Sequence, residues 1–179
     1  MLADIGNYNH VPDLIFIFLA VLTIDVIVIF IARLGPNIFG RVINVWYDKF
    51  GLSAVLADVL VIFIGFILAR YFYTDVLAPR FGWNPLLFTS VLVIIQVIHD
   101  LLFYLFVILP IPRGHNKMID VFKDYAKEGR GKILLADAGM MIGSSFVAMA
   151  YKMLPPHITA LISATVAYSL PYILHTKST

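Results

Sequence analysis

Five apolar stretches, each close to the length that crosses a lipid bilayer as a helix, constrain this chain more than any other feature. They run from Asp13 to Leu34, from Ser53 to about Tyr73, from Leu86 to Leu109, from about Lys132 to Leu154 and from His157 to His175. Gly35-Pro36, Asn84-Pro85, Pro110-Ile111-Pro112 and Pro155-Pro156 stand at their ends, where a helix boundary costs little. The fifth stretch is shorter and carries Pro171. Hydrophobic residues make up 61% of the chain and charged residues 13%. A soluble domain carries about 25% charged residues, so this chain lacks the polar side chains that a water-facing surface needs. The expected fold is all-α: a polytopic membrane helix bundle of about five transmembrane helices, forming one transmembrane domain over residues 1–179.

Several chemistries drop out early. The chain has no cysteine, which excludes disulfides, thiol nucleophiles and iron–sulfur ligation. A formal net charge of +2 gives no reason to expect nucleic acid. The first twelve residues hold no Lys or Arg, so the first apolar stretch reads as a retained helix rather than a secretory signal. No lysine lies in mid-span to anchor a retinal, and no glycine-rich phosphate loop, HExxH or GxSxG motif occurs. No cofactor is expected, and an enzymatic role is the least favoured reading.

Two linkers are amphipathic. In Asn116–Gly129, Met118, Ile119, Phe122 and Tyr125 fall on one helical face, with Lys117, Asp120, Lys123, Asp124, Lys127 and Glu128 on the other. Asn37–Phe50 repeats the pattern with Ile38, Val42, Val45 and Trp46. Such helices lie in the headgroup plane, and the basic one is expected to meet anionic headgroups. Trp46, Tyr47, Tyr71, Tyr73 and Trp83 read as a membrane-interface belt. With five spans, Arg70, Arg80 and Lys152 lie on the N-terminal side. Arg33, Arg41, Lys49, Arg113, Lys117, Lys123, Lys127, Arg130, Lys132 and Lys177 lie on the other. That bias predicts an N-terminus outside or lumenal, with both linkers and the C-terminus cytoplasmic.

The chain also resembles itself. Val42-Ile43-Asn44-Val45-Trp46 matches Met118-Ile119-Asp120-Val121-Phe122, and Val55-Leu56-Ala57-Asp58 matches Leu134-Leu135-Ala136-Asp137. The expected unit is a span with a central Asp, an interfacial helix, and a span with an early Asp. It occurs over about 13–73 and 86–153, related by an axis along the membrane normal, with the helix 157–175 outside the repeat.

Asp25, Asp58, Asp100 and Asp137 therefore sit inside four different spans, where an Asp costs roughly 2.5–3.5 kcal/mol. At 1.5 Å per residue, Asp25 and Asp100 lie about 13 Å before the ends of their spans, and Asp58 and Asp137 about 8 Å after the starts of theirs. All four are expected in one layer of the cytoplasmic half. Gln96, Asp100 and Tyr104 follow i, i+4, i+8, with His99 adjacent, while Gly139 and Gly143 form a small-xxx-small packing pair. The carboxylates are read first as glue between helices and second as proton or cation ligands. Oxygen donors with one imidazole suit hard divalent ions. His99-Asp100 is not read as a dyad, since helical neighbours point about 100° apart.

The stretch Trp46–Asp58, the run Val97-Ile98-His99-Asp100-Leu101-Leu102-Phe103-Tyr104, Pro110-Ile111-Pro112-Arg113-Gly114 and Met118-Ile119-Asp120-Val121-Phe122-Lys123 are similar to small multi-pass membrane proteins of unknown function encoded by large DNA viruses of algae and protists. The resemblance spans about residues 40–145, a length of chain that covers two spans and part of a third. It implies a viral or virion inner membrane, with capsid proteins or further copies of the chain as partners. It brings no activity and no site residues. The role expected first is a structural or organising component of such a membrane, and second a proton- or cation-conducting channel or transporter.

Overall fold

The computed structural model describes residues 2–36, 39–129 and 131–177, and among them every regular element is helical. The helices are α1 (Asp13–Leu34), α2 (Val42–Phe50), α3 (Leu52–Phe72), α4 (Ala78–Phe81), α5 (Pro85–Phe103), α6 (Lys117–Gly129), α7 (Lys132–Met153) and α8 (Pro156–Leu174). Two one-turn π-helical segments, Tyr73–Leu77 and Tyr104–Ile108, extend α3 into α4 and α5 toward α6. Five helical runs are long and apolar enough to cross a membrane: Asp13–Leu34, Leu52–Phe81, Pro85–Ile108, Lys132–Met153 and Pro156–Leu174. By length and composition this is compatible with an integral membrane protein.

α1, α3, α5 and α7 form a ring. α1 packs on α3 and α7, α5 packs on the same two, and α8 lies against the outside of α1. Each ring helix turns small and branched residues inward at helical spacing: Ile17, Ala20 and Val21 on α1, Val59, Ile62 and Phe66 on α3, Phe88 and Leu92 on α5, Met141 and Ala148 on α7. The outward faces carry exposed Phe30, Ile64, Leu68, Ile94 and Leu161, the inverse of a soluble protein's surface. α2 and α6 lie side by side and close one end of the ring. Gly51 makes the one-residue turn from α2 into α3 with φ +51°, a conformation that side-chain-bearing residues avoid. Asn84 caps α5 by accepting from the Leu86 and Leu87 amides at 3.1 and 3.0 Å, and Asn116 does the same for α6 through Met118 and Ile119.

The two ends of the bundle are held differently. At the end opposite α2 and α6, the segment before α1 folds across the helices. Trp83 Nε1 donates to the Leu2 carbonyl at 3.0 Å, Thr74 Oγ1 to Gly6 at 3.0 Å, and Arg70 to the Asn7 and His10 carbonyls. Beneath it Asp13 is fully buried, 2.7 Å from Lys152 Nζ, 2.9 Å from His10 Nδ1 and 3.9 Å from the Arg70 guanidinium. At the other end the buried Arg33 joins three elements. It lies 2.7 Å from Asp48, and donates to Asn44 Oδ1 at 3.1 Å and to the Leu174 carbonyl at 3.0 Å. Glu128 of α6 caps α2, accepting from the Arg41 and Val42 amides at 3.1 and 2.9 Å.

Several expectations need correction. The second membrane-length helix does not stop near Tyr73 but continues through the π turn to Phe81, so the stretch expected as a loop is largely helical. Trp46, Tyr47 and Tyr73 are buried hydrogen-bond donors and not a belt; Tyr71 is the exposed one. The inward face of α2 is Ile43, Trp46 and Tyr47, while Val45 is exposed and Ile38 lies outside the described residues, as do Asn37 and Arg130. Gly139 is exposed with open space where a Cβ would stand, so it marks no close approach; Gly143 does, meeting Ile24 of α1.

Removing the Asp13 carboxylate leaves Arg70 and Lys152 in a largely desolvated cluster with no acid between them. Breaking a buried pair in this way costs about 3–5 kcal/mol. Asp13→Ala is expected to lower unfolding stability by that order in mixed micelles. A loss within about 0.5 kcal/mol, the range of ordinary surface substitutions, would contradict the buried cluster.

Candidate functional site

Between the ring and the paired helices α2 and α6 lies a cavity of about 640 Å³. Asp58 of α3, Gln96, His99 and Asp100 of α5 and Asp137 of α7 contribute to its wall, with Trp46, Tyr47, Phe122 and Tyr125 from the covering helices. No Lys or Arg lines it among the described residues. Tyr104 and Ile108, the first and last residues of the π-helical segment that follows α5, also line this wall.

Each carboxylate has its own environment. Asp58 Oδ2 accepts from Trp46 Nε1 at 3.0 Å and from the Tyr47 hydroxyl at 3.2 Å, so α2 is bound to α3 through this acid. Asp100 Oδ1 accepts from Gln96 Nε2 at 2.7 Å and lies 3.1 Å from His99 Nδ1. Asp100 Oδ2 is buried, and the Asp100 carboxyl faces that of Asp137. Asp25 is completely buried, and the Tyr47 hydroxyl is its neighbouring polar group. It is not part of the cavity wall but stands behind Tyr47, close enough for its charge to act on that hydroxyl and on Asp58. Asp100 and Asp137 are neighbours in the same sense, and so are Asp58 and Asp137. The four acids thus form a chain, Asp25–Asp58–Asp137–Asp100, running from α1 through α3 and α7 to α5.

His99 and Asp100 do meet, contrary to the sequence reading. Nδ1 is the ring nitrogen nearest the backbone, and it reaches sideways across the angle between neighbouring helical positions. His99 is half exposed and stacks on Phe103 at 5.7 Å with 12° between the planes. Gly65 of α3 faces Gln96 and Met141; a Cβ there would fall 2.5 Å from Met141 Cε. Further along α7, Ser144 is buried with an unpartnered hydroxyl, and Thr23 and Tyr151 bond at 2.9 Å. Among the described residues, no three His, Asp or Glu side chains converge as metal ligands do.

Two tyrosines on the covering helices face this acidic layer. Burial first, then the Asp25 and Asp58 carboxyls, push the Tyr47 hydroxyl well above the usual range. Burial first, then Asp137, Asp58 and Glu128, raise Tyr125. Both remain proton donors at any physiological pH. The sequence pointed to the aspartates but missed Tyr47 and Tyr125 as their neighbours. An amphipathic pattern does not say whether the apolar face meets lipid or protein.

Compared with protein-family models, curated proteins and solved structures, the chain matches none.

A tyrosine whose folded pKa is raised contributes stability that is complete below the unfolded value near 10 and is lost as pH rises toward the folded value. Unfolding stability is therefore expected to fall above about pH 10, and to fall less steeply in Tyr47→Phe and Tyr125→Phe. An unchanged alkaline slope in both variants would count against the burial of these hydroxyls beside the acids.

Proposed function

We propose that this chain is an integral membrane protein whose interior carboxylates bind protons or a cation, as part of a channel or transporter. The observation that carries the proposal is that, among the described residues, none of Asp25, Asp58, Asp100 and Asp137 pairs with a Lys or Arg, although Asp25 is fully buried. Carboxylates that serve as glue are hydrogen-bonded by the helices they join. Asp58 is bonded in this way, whereas Asp25 has only the neighbouring Tyr47 hydroxyl and Asp100 only Gln96 and His99 of its own helix and the neighbouring acid Asp137. An unpaired buried charge costs several kcal/mol, so neutralisation must come from protons or an outside cation.

The packing also supports the proposed duplication. Exchanging α1, α2 and α3 with α5, α6 and α7 maps the ring contacts onto one another: α1–α7 onto α5–α3, α1–α3 onto α5–α7, and α2–α6 onto itself. The same exchange carries the pair Asp25–Asp58 onto Asp100–Asp137. In the proposed orientation the N-terminal segment faces outside and α2, α6 and the C-terminus face the cytoplasm, where the lysines of α6 meet anionic headgroups at about 1 kcal/mol each.

A structural or organising role in a viral membrane, with capsid proteins or further copies as partners, is the second reading. It draws on the resemblance, and on interhelical hydroxyl pairs such as Thr89–Ser145 at 2.8 Å, which bind helices without any chemistry.

Liposomes holding the purified protein, with an imposed pH or cation gradient, separate the two readings. Flux above that of empty liposomes is expected. Asp25→Asn and Asp100→Asn are expected to melt within a few degrees of the parent while losing at least about tenfold in flux, the loss of one 1.4 kcal/mol binding increment. No flux from the parent protein, or full flux from both Asn variants, would refute the proposal.

A further inference from the structure

The cavity is much larger than a proton site needs. Its volume of about 640 Å³ falls within the roughly 300–1,000 Å³ that small organic ligands occupy. Its wall is divided by chemistry. Asp58, Asp100 and Asp137 supply acid from the membrane-length helices, and aromatic rings of α2, α6 and α5 line the wall beside them. Trp46 and Phe122 lie 4.7 Å apart at 46°, and Phe122 meets Phe103 edge-on at 5.9 Å, so one continuous aromatic surface crosses from α2 through α6 to α5.

From this juxtaposition we infer that the cavity binds an organic ammonium ion with an apolar body, its charge toward the three aspartates and its hydrocarbon against the Trp46–Phe122–Phe103 wall. The inference rests on the proposal that the carboxylates bind cations, and it names the class of cation. Aromatic faces attract ammonium groups through the ring quadrupole, most strongly when water is excluded. Aliphatic neighbours such as Val61, Ile62 and Met140 offer contact to hydrocarbon but nothing to a hydrated metal ion. Asp25, fully buried, stands behind Tyr47 and Asp58 of the wall.

The test uses the full chain in nanodiscs of phosphatidylcholine. The probe is benzyltrimethylammonium, whose charge is independent of pH, set against neopentylbenzene, its neutral carbon isostere. The ammonium is expected to raise the melting temperature and to give saturable heat of binding, at least about tenfold tighter than the isostere. Asp58→Asn and Asp137→Asn are each expected to weaken it by about tenfold. Equal binding of the isostere, or no binding of the ammonium, would overturn the inference, and this comparison needs no variant to fold. Proton or inorganic-cation flux in the same preparation separates the two proposals. Flux without ammonium binding defeats only the organic-cation inference. Absence of both defeats the cation-binding reading as well.

Discussion

A carboxylate carried into an apolar helix bundle must be neutralised by a partner, a proton or a cation. This chain uses two of these routes at two depths. Asp13 takes protein partners: Lys152, His10 and the Arg70 guanidinium surround it, and the segment before α1 is laid over the cluster. Among the described residues, Asp25, Asp58, Asp137 and Asp100 pair with no Lys or Arg. Asp58 has two neutral donors, Asp100 shares one oxygen between Gln96 and His99, and Asp25 has the neighbouring Tyr47 hydroxyl. The first arrangement fixes structure, and the second is the one on which the proposed cation binding rests.

The covering helices make that difference possible. α2 and α6 are too short and too polar to cross a membrane, yet they hide Trp46, Tyr47, Ile119 and Val121. Their apolar faces close the cavity, and their ends are tied to each other through Glu128 at the start of α2. Gly40, with φ +86°, lets the chain pass close beside that carboxylate, where a Cβ would lie 2.7 Å from Glu128 Oε2. α2 and α6 are thus joined to each other by that cap and by the Trp46–Phe122 contact, while Arg33 and Asp58 tie α2 to the ring.

Much of the architecture was legible in the sequence, because a membrane-length apolar run bounded by proline leaves few alternatives. Both ends of α1, Asp13 and Leu34, stand where the hydrophobic pattern placed them. The far end of α3 was not legible: Thr74–Phe81 contains charges and Pro79, yet the helix passes through a π turn and admits the proline in the first turn of α4. The aspartates announced themselves by their cost in lipid, whereas their separation into a chain of neighbours depends on which helices pack. Gly139 and Gly143 carry the same local signal, and only the neighbour at Ile24 distinguishes them. The Asp13–Lys152 pair joins residues 139 positions apart, beyond the reach of any local pattern.

The central claim is that the four interior aspartates act as one electrostatic layer, with Asp58 and Asp137 as the link between Asp25 and Asp100. A double-mutant cycle tests this most directly. Unfolding stability of Asp58→Asn, Asp137→Asn and the double variant is measured in the same nanodiscs at the same pH. The account predicts a coupling energy of about 0.5–3 kcal/mol, as found for residues sharing one network. Additivity within about 0.3 kcal/mol, as for distant and independent sites, would contradict it.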